Sequence, residues 1–428
     1  MKRYASYKAS GVEWLGEVPS HWRIEKVKFQ ARLRAEKTVG TNGSRYVGME
    51  HVLSKVGKFN PVLEGTQEEA ESTVNVFAKG DVLFGKLRPY LAKCVVADTD
   101  GVCSSEFLVL TPADGVHPDY LNATMLMQEF INTVDASTYG AKMPRAEWGF
   151  IGQQRLPLPP PDEQQAIAGY LDAETARIDT LIQEKEGLIG LLREARFNRI
   201  SELISGDGLP GRATDNPWVP QLPDGWWLKR LKHLAQVRSG LAKGKDTGDR
   251  PTVELPYLRV ANVQEGRLDL REITTMPVEV DAVERFSLLA GDVLMNEGGD
   301  YDKVGRGAVW TGEISPCLHQ NHVFAVRPMQ QDLSEWLAAI TQTQYAKFYF
   351  MNNAKQSTNL ASISQANVKE LPVLLPPKEL RDALLEKMNA EVTAFDTLIT
   401  HTQEAIALLK ELRAATIADA VLGRVDVR

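Results

Sequence analysis

Blocks of sequence recur in the same order through the two halves of the chain, at an offset that drifts from 204 to 217 residues. Val18-Pro19-Ser20-His21-Trp22 answers to Leu222-Pro223-Asp224-Gly225-Trp226, and Gly80-Asp81-Val82-Leu83 to Gly291-Asp292-Val293-Leu294. Leu156-Pro157 with Pro160-Pro161 matches Leu371-Pro372 with Pro376-Pro377. Ile178-Asp179-Thr180-Leu181-Ile182 matches Phe395-Asp396-Thr397-Leu398-Ile399, and Leu191-Leu192-Arg193-Glu194 matches Leu408-Leu409-Lys410-Glu411. Ordered matches of this kind indicate a duplicated unit. Two copies are too few for a solenoid and imply a pseudo-two-fold object.

Each copy has two textures. The first part mixes short β-branched or aromatic runs, such as Phe107-Leu108-Val109-Leu110 and Val323-Phe324-Ala325-Val326, with turn residues such as Thr41-Asn42-Gly43 and Gly298-Gly299-Asp300. Helical stretches are expected within it at 119–132 and 332–348. A proline cluster follows, and proline is tolerated at the start of a helix but not inside it. Beyond the cluster, Ile167, Leu171, Ile178, Leu181, Ile182, Leu188, Leu192, Ile200 and Leu203 fall at spacings of three, four and seven. In the second copy Leu384, Leu385, Met388, Val392, Phe395, Leu398, Ile399, Ile406, Leu409, Leu412 and Ile417 do the same. Each segment predicts a helix about 65 Å long at about 1.5 Å per residue. Two such stripes in one chain most simply cover each other as an antiparallel coiled coil, the alternative being that each breaks and packs on its own domain. The fold class expected is α+β. Two similar α/β domains, residues 1–160 and 207–375, are separated by two long helices at 161–206 and 376–428.

Composition sets few limits on function. No run of about 18 apolar residues is present, so no membrane span is expected, and the N-terminus lacks the apolar stretch of a secretory signal. Cys94, Cys103 and Cys317 form no paired framework, which fits buried thiols in a reduced cytoplasm. The net charge of −7 does not announce a nucleic-acid binder. Part of that acidity lies in the predicted helices, with 5 Lys+Arg against 9 Asp+Glu over residues 162–206 and 7 against 9 over 376–428. A local basic face on either domain remains open.

Catalytic signatures are missing. There is no phosphate-binding Gly-rich loop with Lys, no strand-linked Gly-x-Gly-x-x-Gly and no His-Glu-x-x-His. The Gly-x-Ser-x-Gly elbow is also absent. Asn216-Pro217-Trp218 lacks the second proline of the amino-methyltransferase motif and reads as a turn. No catalytic, cofactor-binding or metal-ligating residue is assigned. Cations in turn-rich contexts do stand out: Lys86 and Arg88; Lys142 and Arg145; Arg238 with Lys243 and Lys245; Lys303 and Arg306. Arg259 and Asn262 follow an apolar run, and Asn359 joins the set. Lys and Arg neutralise phosphate and glycine admits a close backbone, while Arg and Asn can hold guanine and adenine edges bidentately. These twelve are the candidate DNA-contacting residues.

The motifs also resemble those of a known family, the specificity subunits of type I restriction–modification systems. The resemblance covers nearly the whole chain. It is carried by Gly11-Val12-Glu13-Trp14-Leu15-Gly16 with Val18-Pro19-x-x-Trp22, and by Gly80 to Leu91. Leu156-Pro157-x-Pro159-Pro160-x-x-Glu163-Gln164 with Ile167-Ala168-x-x-Leu171-Asp172 adds to it, as do Tyr257 to Asn262 and Gln320-Asn321-His322-Val323-Phe324. The second helix departs from the family pattern at its start, with Lys378-Glu379-Leu380-Arg381. The resemblance implies a non-enzymatic subunit with two target-recognition domains on a helical spacer, reading a split, asymmetric sequence in double-stranded DNA. It implies two modification subunits that bind S-adenosylmethionine and methylate adenine, and restriction subunits that use ATP and cleave, all in the cytoplasm. Two other classes stay open: a coiled-coil scaffold that binds only protein, and an enzyme with hidden carboxylate chemistry.

Overall fold

The computed structural model describes residues 2–41, 43–63, 73–140, 142–242, 250–356 and 360–428, with Asp302 described for its backbone only. The fold is mixed α/β with two long helices, and it divides into two compact units. The first contains Met1–Glu186 and Glu404–Arg428, the second Gly187–Gln403. The division falls inside both long helices, so each unit takes one end of each helix.

In the first unit, β1 (Tyr7–Ala9) pairs with β2 (Glu17–Pro19), and β3 (Arg23–Lys26) with β12 (Arg155–Leu158). The short helix α1 (Val27–Gln30) leads into a four-stranded antiparallel sheet. Its order is β4 (Ala31–Leu33), β11 (Phe107–Pro112), β8 (Val82–Gly85), β9 (Cys94–Val96). A second sheet runs β5 (Lys37–Val39), β7 (Thr73–Phe77), β10 (Gly101–Cys103), β6 (Tyr46–Val47), with the last pair parallel. The helices α2 (Pro118–Met125), α3 (Gln128–Ala136) and α4 (Trp148–Ile151) cover the first sheet's core. The long helix α5 spans Pro161–Ser205. Its first residue is a proline, whose missing N–H costs nothing at that position.

The second unit has the same plan. There β13 (Gly211–Ala213) pairs with β14 (Gln221–Pro223), and β15 (Trp227–Arg230) with β26 (Pro372–Leu375). Its four-stranded sheet runs β16 (Ala235–Ser239), β23 (Val323–Pro328), β19 (Val293–Asn296), β21 (Gly307–Val309). A three-stranded sheet runs β18 (Thr274–Glu279), β17 (Thr252–Leu258), β22 (Leu318–His319), with β17 and β22 parallel. A small sheet joins β20 (Gly298–Gly299), β25 (Ala361–Ser362) and β24 (Lys355–Gln356). The helices are α6 (Val283–Phe286), α7 (Ser334–Ile340), α8 (Gln344–Asn353), α9 (Gln365–Lys369) and the long α10 (Lys378–Val421).

The repeated motifs explain why the halves agree. Trp22 and Trp226 are both buried, and each sits against the glycine that ends a long helix. Gly423 (φ 67°) closes α10 against Pro19 and Trp22, and Gly206 (φ 68°) closes α5 against Pro223 and Trp226. A Cβ at either would come within 2.5 or 2.7 Å of the proline ring. A left-handed residue after a helix is the usual place for glycine.

The Gly-Asp-Val-Leu segments are also structural. Asp81 caps its own turn by accepting from the Ala78 N–H at 2.8 Å and pairs with Arg34 at 2.9 Å. Asp292 accepts from the Leu289 N–H at 2.9 Å and takes Arg327 with both oxygens at 2.7 Å. Both carboxylates are buried and paired, as a buried charge must be.

Helix α5 starts on buried polar side chains. Glu163 accepts from the Trp22 indole N–H at 2.9 Å and from Arg428 at 3.1 Å, with His21 at 2.7 Å. Gln164 bonds the loop before α2, at His117 N (2.8 Å) and Gly115 O (3.1 Å). In the second unit Arg381 does that work, donating to Asp332 before α7 at 2.6 Å. The departure from the family pattern at Lys378–Arg381 therefore keeps the anchor and changes only its chemistry.

Two expectations are corrected. The single helices foreseen at 119–132 and 332–348 are each broken in two. In the second case Thr343 starts α8 by accepting from Ala346 N with its side chain. The apolar stripe is also incomplete: Leu188, Leu398 and Leu412 are exposed, and Ile189 takes the buried position beside Leu188. The three cysteines are free and buried, and burial pushes the Cys103 and Cys317 thiols up to about 12.

Candidate nucleic-acid interface

In the first unit the chain segments that carry four of the predicted cations run together at one sheet end. The chain leaving β8 runs through Lys86, Leu87 and Arg88, and residues 144–146 are laid along it. Lys86 N donates to Glu106 O at 2.9 Å, Ala146 N to Lys86 O at 3.0 Å, and Arg88 N to Pro144 O at 2.7 Å. Lys86, Arg88 and Arg145 are thereby gathered from positions more than fifty residues apart in sequence, with Lys142 three residues before Arg145. Arg88 has φ 50° in the left-handed region, where a non-glycine residue is strained. Pro144 on one side and the turn Pro89–Leu91 on the other hold it there, with its side chain exposed. Tyr90, Tyr139 and Met143 are exposed nearby in sequence, so apolar faces accompany the charges.

Arg145 differs from the other three. Its Nε donates to Glu106 Oε2 at 3.0 Å and its Nη2 to Oε1 at 2.8 Å. Those bonds hold the Glu106 carboxyl below its usual range despite partial burial. Among the described residues, Lys86, Arg88 and Lys142 have no carboxylate at ion-pairing distance.

The second unit is less simply basic. Arg238, expected on a flexible loop, lies in β16, because Ala235 and Val237 continue the buried alternation of that strand. Its guanidinium donates to the Arg285 carbonyl, and burial lowers its pKa. Gly240 follows, where a Cβ would meet the His319 carbonyl at 2.0 Å, so the chain there needs glycine for close approach. Lys243, Lys245 and Asn359 lie outside the described residues.

Asn262 does not face solvent. Its side chain accepts from Arg259 N at 2.8 Å and donates to Asp269 O at 2.8 Å and Glu272 O at 2.9 Å. With that amide consumed inside the loop, Asn262 organises the backbone. Arg259 and Arg306 are half-buried, and Lys303 is paired with Asp300.

The position equivalent to Lys86 is occupied by Glu297, and the one equivalent to Glu106 by His322. The backbone bonds repeat: Glu297 N donates to His322 O at 2.9 Å, and Ile363 N to Glu297 O at 2.8 Å. Glu297 Oε2 lies 3.0 Å from His322 Nδ1. Sequence reasoning missed this pair, although the repeat carried the signal: continuing the Gly-Asp-Val-Leu match forward from Leu83 and Leu294 sets Lys86 opposite Glu297. Among the described residues there is no cluster of three or more His, Cys, Asp or Glu side chains fit for a metal. Among the described residues no helix is long and apolar enough to cross a membrane.

Comparison with known proteins agrees with this picture. Residues 38–188 match the model of the type I restriction modification DNA specificity domain. The type I restriction enzyme EcoKI specificity subunit of Escherichia coli (strain K12) is 24% identical over 307 residues, 69% of this chain and 63% of that protein. The MjaIX specificity subunit of Methanocaldococcus jannaschii is 20% identical over 448 residues, 96% of this chain and 95% of that one. The chain thus spans just under two thirds of the first relative and nearly all of the second. Among solved structures, a chain from a study of complex assembly and conformational transition of the type I R-M system superposes with a TM-score of 0.65 at 20% identity, covering 94% of this chain and 98% of that one. The HsdS subunit from Thermoanaerobacter tengcongensis gives 0.52 at 18%, covering 95% and 98%. With the sheet plan recurring in both units and these matches falling on one family, the chain is similar over most of its length to the specificity subunits of type I restriction–modification systems, and residues 38–188 match that family's DNA specificity domain.

Proposed function

We propose that this chain is the sequence-reading subunit of a type I restriction–modification complex, each unit reading one part of a split DNA target. The observation that carries the reading is the gathering of Lys86, Arg88, Lys142 and Arg145 at one sheet end, with an equivalent polar end in the second unit. Phosphate neutralisation by such cations supplies most of the sequence-independent affinity for DNA.

The long helices serve as an antiparallel spacer that fixes the separation of the two half-sites. The inter-helix ion pairs support this. In the first unit Asp179 of α5 meets Arg413 of α10 at 2.8 Å; in the second, Arg196 meets Asp396 at 3.0 Å and Arg199 meets Glu391 at 2.5 Å. As the α5 number rises, the α10 number falls. Asp179 and Asp396 are also partners in the sequence repeat, so the same pair occurs in both units, as a pseudo-two-fold duplication requires. Leu188, Leu191, Leu398, Leu408 and Leu412 stay exposed on the helices and suit docking of two modification subunits. Those subunits would bind S-adenosylmethionine and methylate adenine. ATP and cleavage would belong to restriction subunits, all in the cytoplasm.

Mapping methylated adenines with the whole complex tests the reading. A split motif that vanishes when this subunit is omitted is expected. Methylation without any split motif, or a complex that binds only protein and shows no salt-sensitive DNA affinity, would leave the scaffold reading standing instead. Two variants sharpen the test. Lys86→Ala with Arg88→Ala is expected to lower the slope of log affinity against log salt by about 1.8, from about 0.9 per phosphate contact, and to weaken binding at one half-site without changing the bases it specifies. Equal damage to both half-sites would contradict separate reading heads. Four residues inserted after Leu192 add about 6 Å of helix and are expected to change the number of unread bases between the half-sites. An unchanged spacer in the methylome would refute the ruler role.

A further inference from the structure

We infer that each unit reads a base edge through a side chain braced by a carboxylate: Arg145 on Glu106 in the first unit, and His322 on Glu297 in the second. The inference rests on the DNA-reading function proposed above.

Both pairs stand at the same place in the fold. In the second unit Glu297 follows β19 and His322 precedes β23, whereas in the first Glu106 precedes β11 and Arg145 reaches it from the loop bridged to Leu87, just past β8. The backbone bonds that set this place are the same, Lys86 N to Glu106 O and Glu297 N to His322 O, both 2.9 Å. The carboxylate has changed strands: it opens β11 in the first unit, as Glu106, and follows β19 in the second, as Glu297. In both units it is the more buried member of its pair. Glu106 is 22% exposed beside Arg145 at 34%, and Glu297 is 25% exposed beside His322 at 55%.

The chemistry that remains suits bases better than phosphates. Arginine has five N–H donors, and two of Arg145's are spent on Glu106. The three left, on Nη1 and Nη2, form a fork that matches the O6 and N7 acceptors of guanine. The Glu297 carboxylate can only accept, so His322 Nδ1 carries the hydrogen between them. That fixes the ring and leaves Nε2 as its one free polar atom, the size of contact a single base edge offers. A phosphate at either site would face a carboxylate, whose negative charge repels it. Lys86, Arg88 and Lys142 have no carboxylate at ion-pairing distance among the described residues, and theirs is the charge that phosphates take up. The brace also removes rotamer freedom before DNA arrives, which a base contact needs and a phosphate contact does not.

The test uses the full complex with its modification subunits and double-stranded DNA carrying the mapped target. Arg145→Ala and His322→Ala are each expected to relax the motif at one position, in opposite halves. Affinity for the target should fall about tenfold to a hundredfold, the range of one good base contact, with the salt slope unchanged. Lys86→Ala serves as the phosphate control, with the slope lowered by about 0.9 and the motif intact. Glu106→Gln and Glu297→Gln keep the shape, remove the brace and should broaden the same positions. Their melting temperatures, compared with the parent, separate loss of reading from loss of fold. If the parent complex reads a split target while Arg145→Ala and His322→Ala keep its motif, or lower the salt slope as Lys86→Ala does, the inference is overturned. If the parent complex binds no sequence selectively, the underlying reading fails.

Discussion

Replacing Trp22 by alanine is expected to destabilise the first unit by about 3–5 kcal/mol, the range for emptying a buried Trp site. The indole is fully buried and packs edge-on against Tyr4, with ring centroids 5.6 Å apart. It also lies where a Cβ on Gly423 would be 2.8 Å away, so the end of α10 has no slack around it. The loss is not only of area. Trp22 donates to Glu163 Oε2 at 2.9 Å, and Glu163 is 3% exposed. Alanine would leave that carboxylate oxygen short of a donor, which adds a desolvation cost. Denaturant melts of the parent, Trp22→Ala and Trp22→Phe should place phenylalanine between the other two. A loss below about 1 kcal/mol for the alanine variant would show that the site collapses freely, contrary to the packing described.

The second large effect is pH-dependent and centres on His319. This ring is 2% exposed and its Nδ1 lies 2.7 Å from the Val323 carbonyl. Burial lowers its pKa from 6.5 to about 4; Val323 and Asp292 oppose that, while Arg238 and Arg327 add to it. The unfolded chain therefore binds this proton at a higher pH than the folded chain does. The stability due to a neutral His319 is complete above about pH 6.5 and is lost as pH falls toward 4. At about 1.36 kcal/mol per pKa unit, roughly 2.5 kcal/mol should be gone by pH 4.5. Comparing the unfolding free energy of the parent with His319→Asn at pH 7 and pH 4.5 isolates this contribution. Asparagine keeps a donor for Val323 and does not titrate. Identical pH slopes for the two proteins would mean that His319 is not held neutral.

The duplication and the long helices were legible in the sequence because both are local or repetitive signals. A proline cluster, a 45-residue run free of internal proline and a terminal glycine mark α5 without any knowledge of its neighbours. The gathering of Lys86 with Lys142 and Arg145 was not legible. It depends on a loop laid along a strand end from over fifty residues away, and no local pattern encodes that. Asn262 was misread for a related reason. A polar residue after an apolar run looks solvent-facing until the carbonyls of Asp269 and Glu272 are seen to close on it. Glu297 and His322 were not legible because isolated cations stand out in a sequence, whereas the second unit carries a mixed pair at this place.

The division of the chain has a consequence for biosynthesis. The second unit is one uninterrupted stretch, Gly187–Gln403, whereas the first waits for Glu404–Arg428. Ile417, Ala420, Val421 and Leu422 sit in the same core as Trp22 and Tyr120. A ribosome making this protein therefore releases the amino-terminal sheets long before their apolar cover has been translated. The usual vectorial order, amino-terminal domain first, is inverted, and the nascent first unit must survive the synthesis of more than two hundred residues with part of its interior uncovered.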